Sequence, residues 1–158
     1  MYLSIIILLM FVCPIVSIVV EAFFFRGTPG ISLLIGKWLV FWAVGIRLFS
    51  AGLRQVVTPE FTAEKIFGIE GAQPLVIVQE LGFANISLGL LGIVSIFNLI
   101  WISPAAIAGG LFHGLAGLRH LTRKKRNFSE NWAMLSDLFI HRVAFLFRLG
   151  NTSMVFCQ

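Results

Sequence analysis

Of the side chains able to ionise or hydrogen-bond inside long apolar runs, four fall in one inner layer: Arg47, Glu80, Asn85 and His113. A guanidinium, a carboxylate, an amide and an imidazole can together hold an ion, a small polar solute or a proton. They supply donors and acceptors, and one of them titrates near neutral pH. Each is costly in an apolar medium, so a chain that keeps them there turns them inward and towards one another. An Arg47–Glu80 pair is the simplest way to neutralise both charges. Glu80 and Asn85 stand about 140° apart on a helix and so face different neighbours. A second pair, Glu21 with Lys37, is expected nearer the opposite face of the membrane.

His113 and His120 are seven residues apart, which keeps them on one helical face but about 10 Å apart. One metal ion cannot take both. They are therefore weak metal candidates, and a haem would need a second axial ligand from another helix. The remaining histidine, His141, falls in the tail. Cys13 and Cys157 have no metal-ligand spacing. The sequence calls for no cofactor and has no phosphate-binding glycine loop, nucleophile elbow or HExxH motif. No soluble-enzyme motif appears, and the sequence favours a protein that is not an enzyme.

Composition sets the elements that carry these groups. Of 158 residues, 58% are hydrophobic and 12% charged, and the mean hydropathy is +0.95. A soluble domain carries about 25% charged residues. A bilayer core about 30 Å thick takes roughly 20 apolar helical residues. Four segments meet that length: about 2–25, 31–53, 74–102 and 103–121. The expected fold is all-α, an integral membrane four-helix bundle over residues 1–126. The first segment lacks a basic start and reads as a span, not a signal peptide.

Small residues predict how the helices meet, because they let backbones approach closely. The third segment aligns Gly82, Asn85, Gly89 and Gly92. The fourth aligns Ala106, Gly109, Gly110, His113, Gly117 and His120, and Gly110 with Gly114 forms a GxxxG pattern. These two seams are expected to pack together and to bring His113 near Asn85.

The formal charge is +5. Arg119 and the run Arg123-Lys124-Lys125-Arg126 follow the fourth segment, which places that end, and both termini, in the cytoplasm. The run is also a candidate contact for anionic lipid. No groove-reading motif accompanies the charge, so nucleic acid is not an expected partner. In the inner loop, Thr58-Pro59-Glu60 predicts the start of a short interfacial helix, ended by Gly68 and Gly71.

Residues 127–158 are expected to form a cytoplasmic tail with an amphipathic interfacial helix. Asn127-Phe-Ser-Glu130 resembles a capping box. Trp132, Leu135, Phe139, Val143 and Leu146 share one face, and Glu130, Asp137, His141 and Arg148 the other. A fifth span hiding its polar stripe is the alternative, disfavoured by the cost of inserting Asp137, His141, Arg142 and Arg148.

The run Glu80-Leu-Gly-Phe-Ala-Asn85, the glycine-rich helix bearing His113, and Asn127-Phe-Ser-Glu130-Asn131 with Ser136-Asp137 resemble small bacterial membrane proteins of the DoxX-like kind. The resemblance implies a four-helix bundle in a bacterial inner membrane. It also implies, as an alternative function, a membrane subunit of a redox or quinone-linked complex. It carries over no catalytic residues. The residues themselves favour a protein that binds or passes an ion or small polar solute through the layer of Arg47, Glu80, Asn85 and His113, as a homo-oligomer. A structural or assembly partner without chemistry is the third reading.

Overall fold

A computed structural model describes residues 2–25, 30–122 and 128–150. Those residues are helical or lie in short connections, with no strand among them. Four helices are long and apolar enough to cross a membrane: α1 (Ser4–Phe24), α2 (Ile31–Val57), α4 (Gln73–Val94) and a segment Leu99–Leu121 that opens with one 3-10 turn and continues as α5 (Ile102–Leu121). Between α2 and α4 lies the short helix α3 (Phe61–Phe67). The last helix is α6 (Phe128–Gly150). Large apolar side chains cover the outside, among them Ile15, Val16, Ile77, Phe83, Leu111 and Leu115. A surface of that kind is stable against lipid and not against water. The chain is a multi-pass membrane protein.

Local sequence explains the breaks. In α1 the turns widen over Leu8–Val12, just before Pro14, whose ring takes one N–H out of the ladder. In α2 they widen again over Val40–Ile46, and Arg47 follows directly. Helix α2 runs on to Val57, where the next residue precedes Pro59 and leaves the helical region. Thr58 does not cap the start of α3 as its sequence suggests. Its hydroxyl donates instead to the Arg54 carbonyl at 3.1 Å, closing the end of α2. Gly68 ends α3 at φ 64°, in the left-handed region that suits glycine.

The glycine seams are paired differently from the sequence expectation. Gly82, Gly89 and Gly92 of α4 lie on α2, not on α5. A Cβ on Gly92 would stand 2.7 Å from Gly45 Cα, and one on Gly82 would stand 2.9 Å from the Gly52 carbonyl oxygen. The glycines of α5 pack on α6: Gly110 meets Ala144, Gly114 meets His141, and Gly117 meets Leu138. The expectation failed because both helices carry small residues on more than one face, and α2 supplies the complementary glycines, Gly45 and Gly52.

Helix α6 differs most from the expectation of an interfacial tail. It runs antiparallel along α5, and Ala133, Met134, Ser136, Asp137, Ile140 and Ala144 are buried. Asp137 and His141 of its polar stripe face the bundle, while Leu135 and Phe139 are exposed. The charge of Asp137, which makes insertion look costly, is met by partners on α2 and α5. The basic run Arg123, Lys124, Lys125 and Arg126 lies outside the described residues.

Candidate functional site

Helices α2, α5 and α6 bring Arg47, His113, Ser136 and Asp137 together. Arg47 Nη2 donates to Asp137 Oδ1 at 2.8 Å and to Ser136 Oγ at 2.8 Å. The Ser136 hydroxyl donates its own proton to the Ala133 carbonyl at 2.7 Å, which leaves its lone pairs for Arg47. His113 Nδ1 lies 3.1 Å from the same Asp137 oxygen. His113 is 2% exposed and Asp137 6%. A buried ion pair of this kind is held by its geometry, and removing one partner strands the other.

A cavity of about 290 Å³ adjoins this cluster. Its polar lining includes Arg47, Gln55, Asn85, His113, His120 and Asp137, and Ile6, Leu9, Leu48, Phe61 and Phe112 supply apolar wall. Asn85 Nδ2 donates to Gln55 Oε1 at 2.7 Å. Among the described residues, two buried side-chain polar atoms lack any hydrogen-bond partner: Asn85 Oδ1 and His113 Nε2. Both residues line this cavity. At the rim, the Arg54 guanidinium lies 3.4 Å from the centre of the Phe61 ring.

Above the cluster, Val40, Ile102, Ala105, Ala106 and Ala144 form an apolar layer. Along α2, Val40 stands between Lys37 and Arg47, so this layer lies between the cluster and the Glu21–Lys37 pair. A separate groove of about 380 Å³ between α2 and α6, with Ile35, Leu39, Phe139 and Val143 in its wall, is apolar and lies away from the cluster's polar atoms.

Arg47 and His113 share the cluster. Asn85 is not bonded to His113 but faces the same cavity. Glu80 does not pair with Arg47. It is exposed on α4, and its neighbour Gln79 donates to the Val56 carbonyl at 3.2 Å. Val56 is more than two turns along α2 from Arg47, so the packing register of α2 and α4 puts the two charges in different layers. Glu21 and Lys37 are joined at 2.6 Å, and Trp38 Nε1 donates to the same carboxylate at 2.8 Å. His120 lines the cavity. Among the described residues, no three His, Cys, Asp or Glu side chains are grouped to hold a metal ion.

Sequence reasoning missed Asp137, Ser136 and Gln55. The available signal was the polar stripe of α6. A stripe narrower than the apolar face is as well served by a bundle interior as by water.

Fold and site define a multi-pass helical membrane protein with a buried ion-pair cluster beside a polar cavity. The chain belongs to a family of unknown function (DUF6790), whose model matches residues 2–149. The DoxX-like resemblance has no counterpart in that match. No curated protein matches the chain, and no solved structure does.

Proposed function

We propose that this protein binds a small polar ligand in the cavity bounded by Arg47, Asn85, His113 and Asp137, with access from the cytoplasmic side. The observation that carries this reading is the pair of unmet buried atoms, Asn85 Oδ1 and His113 Nε2, beside one cavity. A buried polar atom without a partner costs about 1–3 kcal/mol. A bundle that retains two at one place is suited to a ligand that satisfies them.

The apolar layer of Val40, Ile102, Ala105 and Ala106 supports binding over open conduction. Passage of a solute would require that layer to part. One chain bounds the cavity, so ligand binding needs no second copy, and self-association is a separate proposal. The proposed setting is a bacterial inner membrane with the N-terminus in the cytoplasm. There the basic run 123–126 meets anionic lipid.

The test is thermal stabilisation of the purified protein, in lipid nanodiscs, across a panel of small polar compounds. Stabilisation by a compound class, lost in Asn85→Leu and kept in Glu80→Gln, is the expected result. A panel that stabilises wild type and Asn85→Leu alike would remove the cavity as the ligand site.

A further inference from the structure

The two unmet atoms of the proposed ligand site are both acceptors. His113 Nδ1 faces Asp137 Oδ1 at 3.1 Å. A carboxylate accepts, so Nδ1 carries the imidazole proton and Nε2 presents a lone pair. Asn85 spends its amide nitrogen on Gln55 and leaves its carbonyl oxygen unmet. Reversing that amide would exchange one unmet oxygen for an unmet NH2 group, a poorer arrangement. A third acceptor adjoins them: both contacts of Asp137 use Oδ1, and Oδ2 has no hydrogen bond among the described residues.

Charge narrows the ligand further. Arg47 already answers Asp137, so the cluster with a neutral imidazole has no net charge. Arg54 at the rim adds a positive charge that opposes an entering cation. Three acceptors oppose an anion. Elsewhere the wall carries Ser50, Thr62 and His120, and Ile6, Leu9, Leu48 and Phe112 are placed to take a hydrocarbon body. A volume of about 290 Å³ has room for about one ring.

We infer that the ligand is a small neutral hydroxyl compound with an apolar body of about one ring, its O–H donating to the unmet acceptors at His113 and Asn85. This rests on the ligand-site reading above and narrows it to a chemical class.

The test compares phenol with anisole, benzylammonium and benzoate on the full chain in nanodiscs. Anisole keeps the shape of phenol and lacks the donor. Nitrogen-15 spectra of the labelled histidines report the contact directly. The chain has 3 histidines, and His120→Gln and His141→Gln assign the remaining signal to His113. Phenol is expected to move the His113 Nε2 resonance in the direction of a hydrogen-bonded acceptor. It should also bind about tenfold more tightly than anisole, the loss expected for one buried hydrogen bond. Equal binding of anisole, or stronger binding of benzylammonium or benzoate, would overturn the ligand class and leave the ligand site standing. If no probe moves the His113 signal and the cavity holds water only, the class and the site fall together. The four binding comparisons use wild-type protein, and the two histidine variants serve only to assign the signal, so a variant that fails to fold cannot obscure the binding result.

Discussion

Arg47 and His113 meet on one atom. Asp137 Oδ1 accepts from Arg47 Nη2 at 2.8 Å and lies 3.1 Å from His113 Nδ1. The shared oxygen ties the second, fifth and sixth helices at a single point. Asp137→Asn removes the charge and leaves Arg47 buried beside a neutral amide. The expected cost is about 3–5 kcal/mol of stability. Replacing both members, Arg47→Met with Asp137→Leu, should cost less than Asp137→Asn alone, because no stranded charge remains. Reversible unfolding in mixed micelles measures the difference. An Asp137→Asn protein as stable as wild type would mean that the pair contributes nothing to holding α6.

Glu80 gives the opposite expectation. Its side chain is exposed, and it forms no ion pair among the described residues. Glu80→Gln should shift stability by no more than about 0.5 kcal/mol, as surface changes do. It should also leave ligand response unchanged. A large loss on Glu80→Gln would restore it to the polar layer.

The contrast between Glu80 and Asp137 shows what the sequence discloses. The four apolar spans, the Glu21–Lys37 pair and the inward position of Arg47 and His113 follow from length, depth and the cost of burying charge. Which carboxylate meets Arg47 depends on helix register. Glycines of α4 could have packed on α2 or α5, and a slide of two turns separates Arg47 from Glu80. Asp137 was hidden for another reason. The same amphipathic pattern serves a helix on a membrane surface and a helix closing a bundle, and periodicity alone does not choose. The preference for a surface helix rested on the price of four ionisable groups, which counted Asp137 without its partners.

The seam between α2 and α4 makes a further prediction. A Cβ on Gly89 would come within 2.7 Å of Phe49 Cα and 2.9 Å of the Gly45 carbonyl oxygen, both backbone atoms. Backbone cannot rotate away as a side chain can. Gly89→Val should therefore force the helices apart, at or above the roughly 1–3 kcal/mol typical of overpacking. Gly30→Ala, at a position with nothing within 4 Å, is the control and should be nearly neutral. Heat-induced loss of monodisperse protein on gel filtration reads both. A tolerated Gly89→Val would show that α2 and α4 do not approach as closely as their glycines allow.

The orientation of α6 decides the topology of the chain. Helix α6 lies antiparallel to α5, with Leu138 beside Gly117, His141 beside Gly114 and Ala144 beside Gly110. Those steps carry it from the level of the last turns of α5 to that helix's middle, and its residues continue to Gly150. Twenty-three helical residues extend about 34 Å, enough to cross a bilayer core of about 30 Å. Asp137 of its stripe is paired with Arg47 and faces His113 inside the bundle, so that share of the penalty against a fifth crossing is offset where it arises. If the N-terminus is cytoplasmic, as proposed above, and α6 is a fifth crossing, the C-terminus lies on the far side. A phosphatase reporter, active only outside the cytoplasm, should then be active when fused after residue 150 and inactive when fused after residue 122. A fluorescent protein that matures only in the cytoplasm should give the reverse pattern. If both fusions report cytoplasm, α6 lies in or on the inner leaflet. The Asp137 contacts would then have to form at the membrane surface, where water competes for Arg47, and Asp137→Asn should cost far less than predicted above.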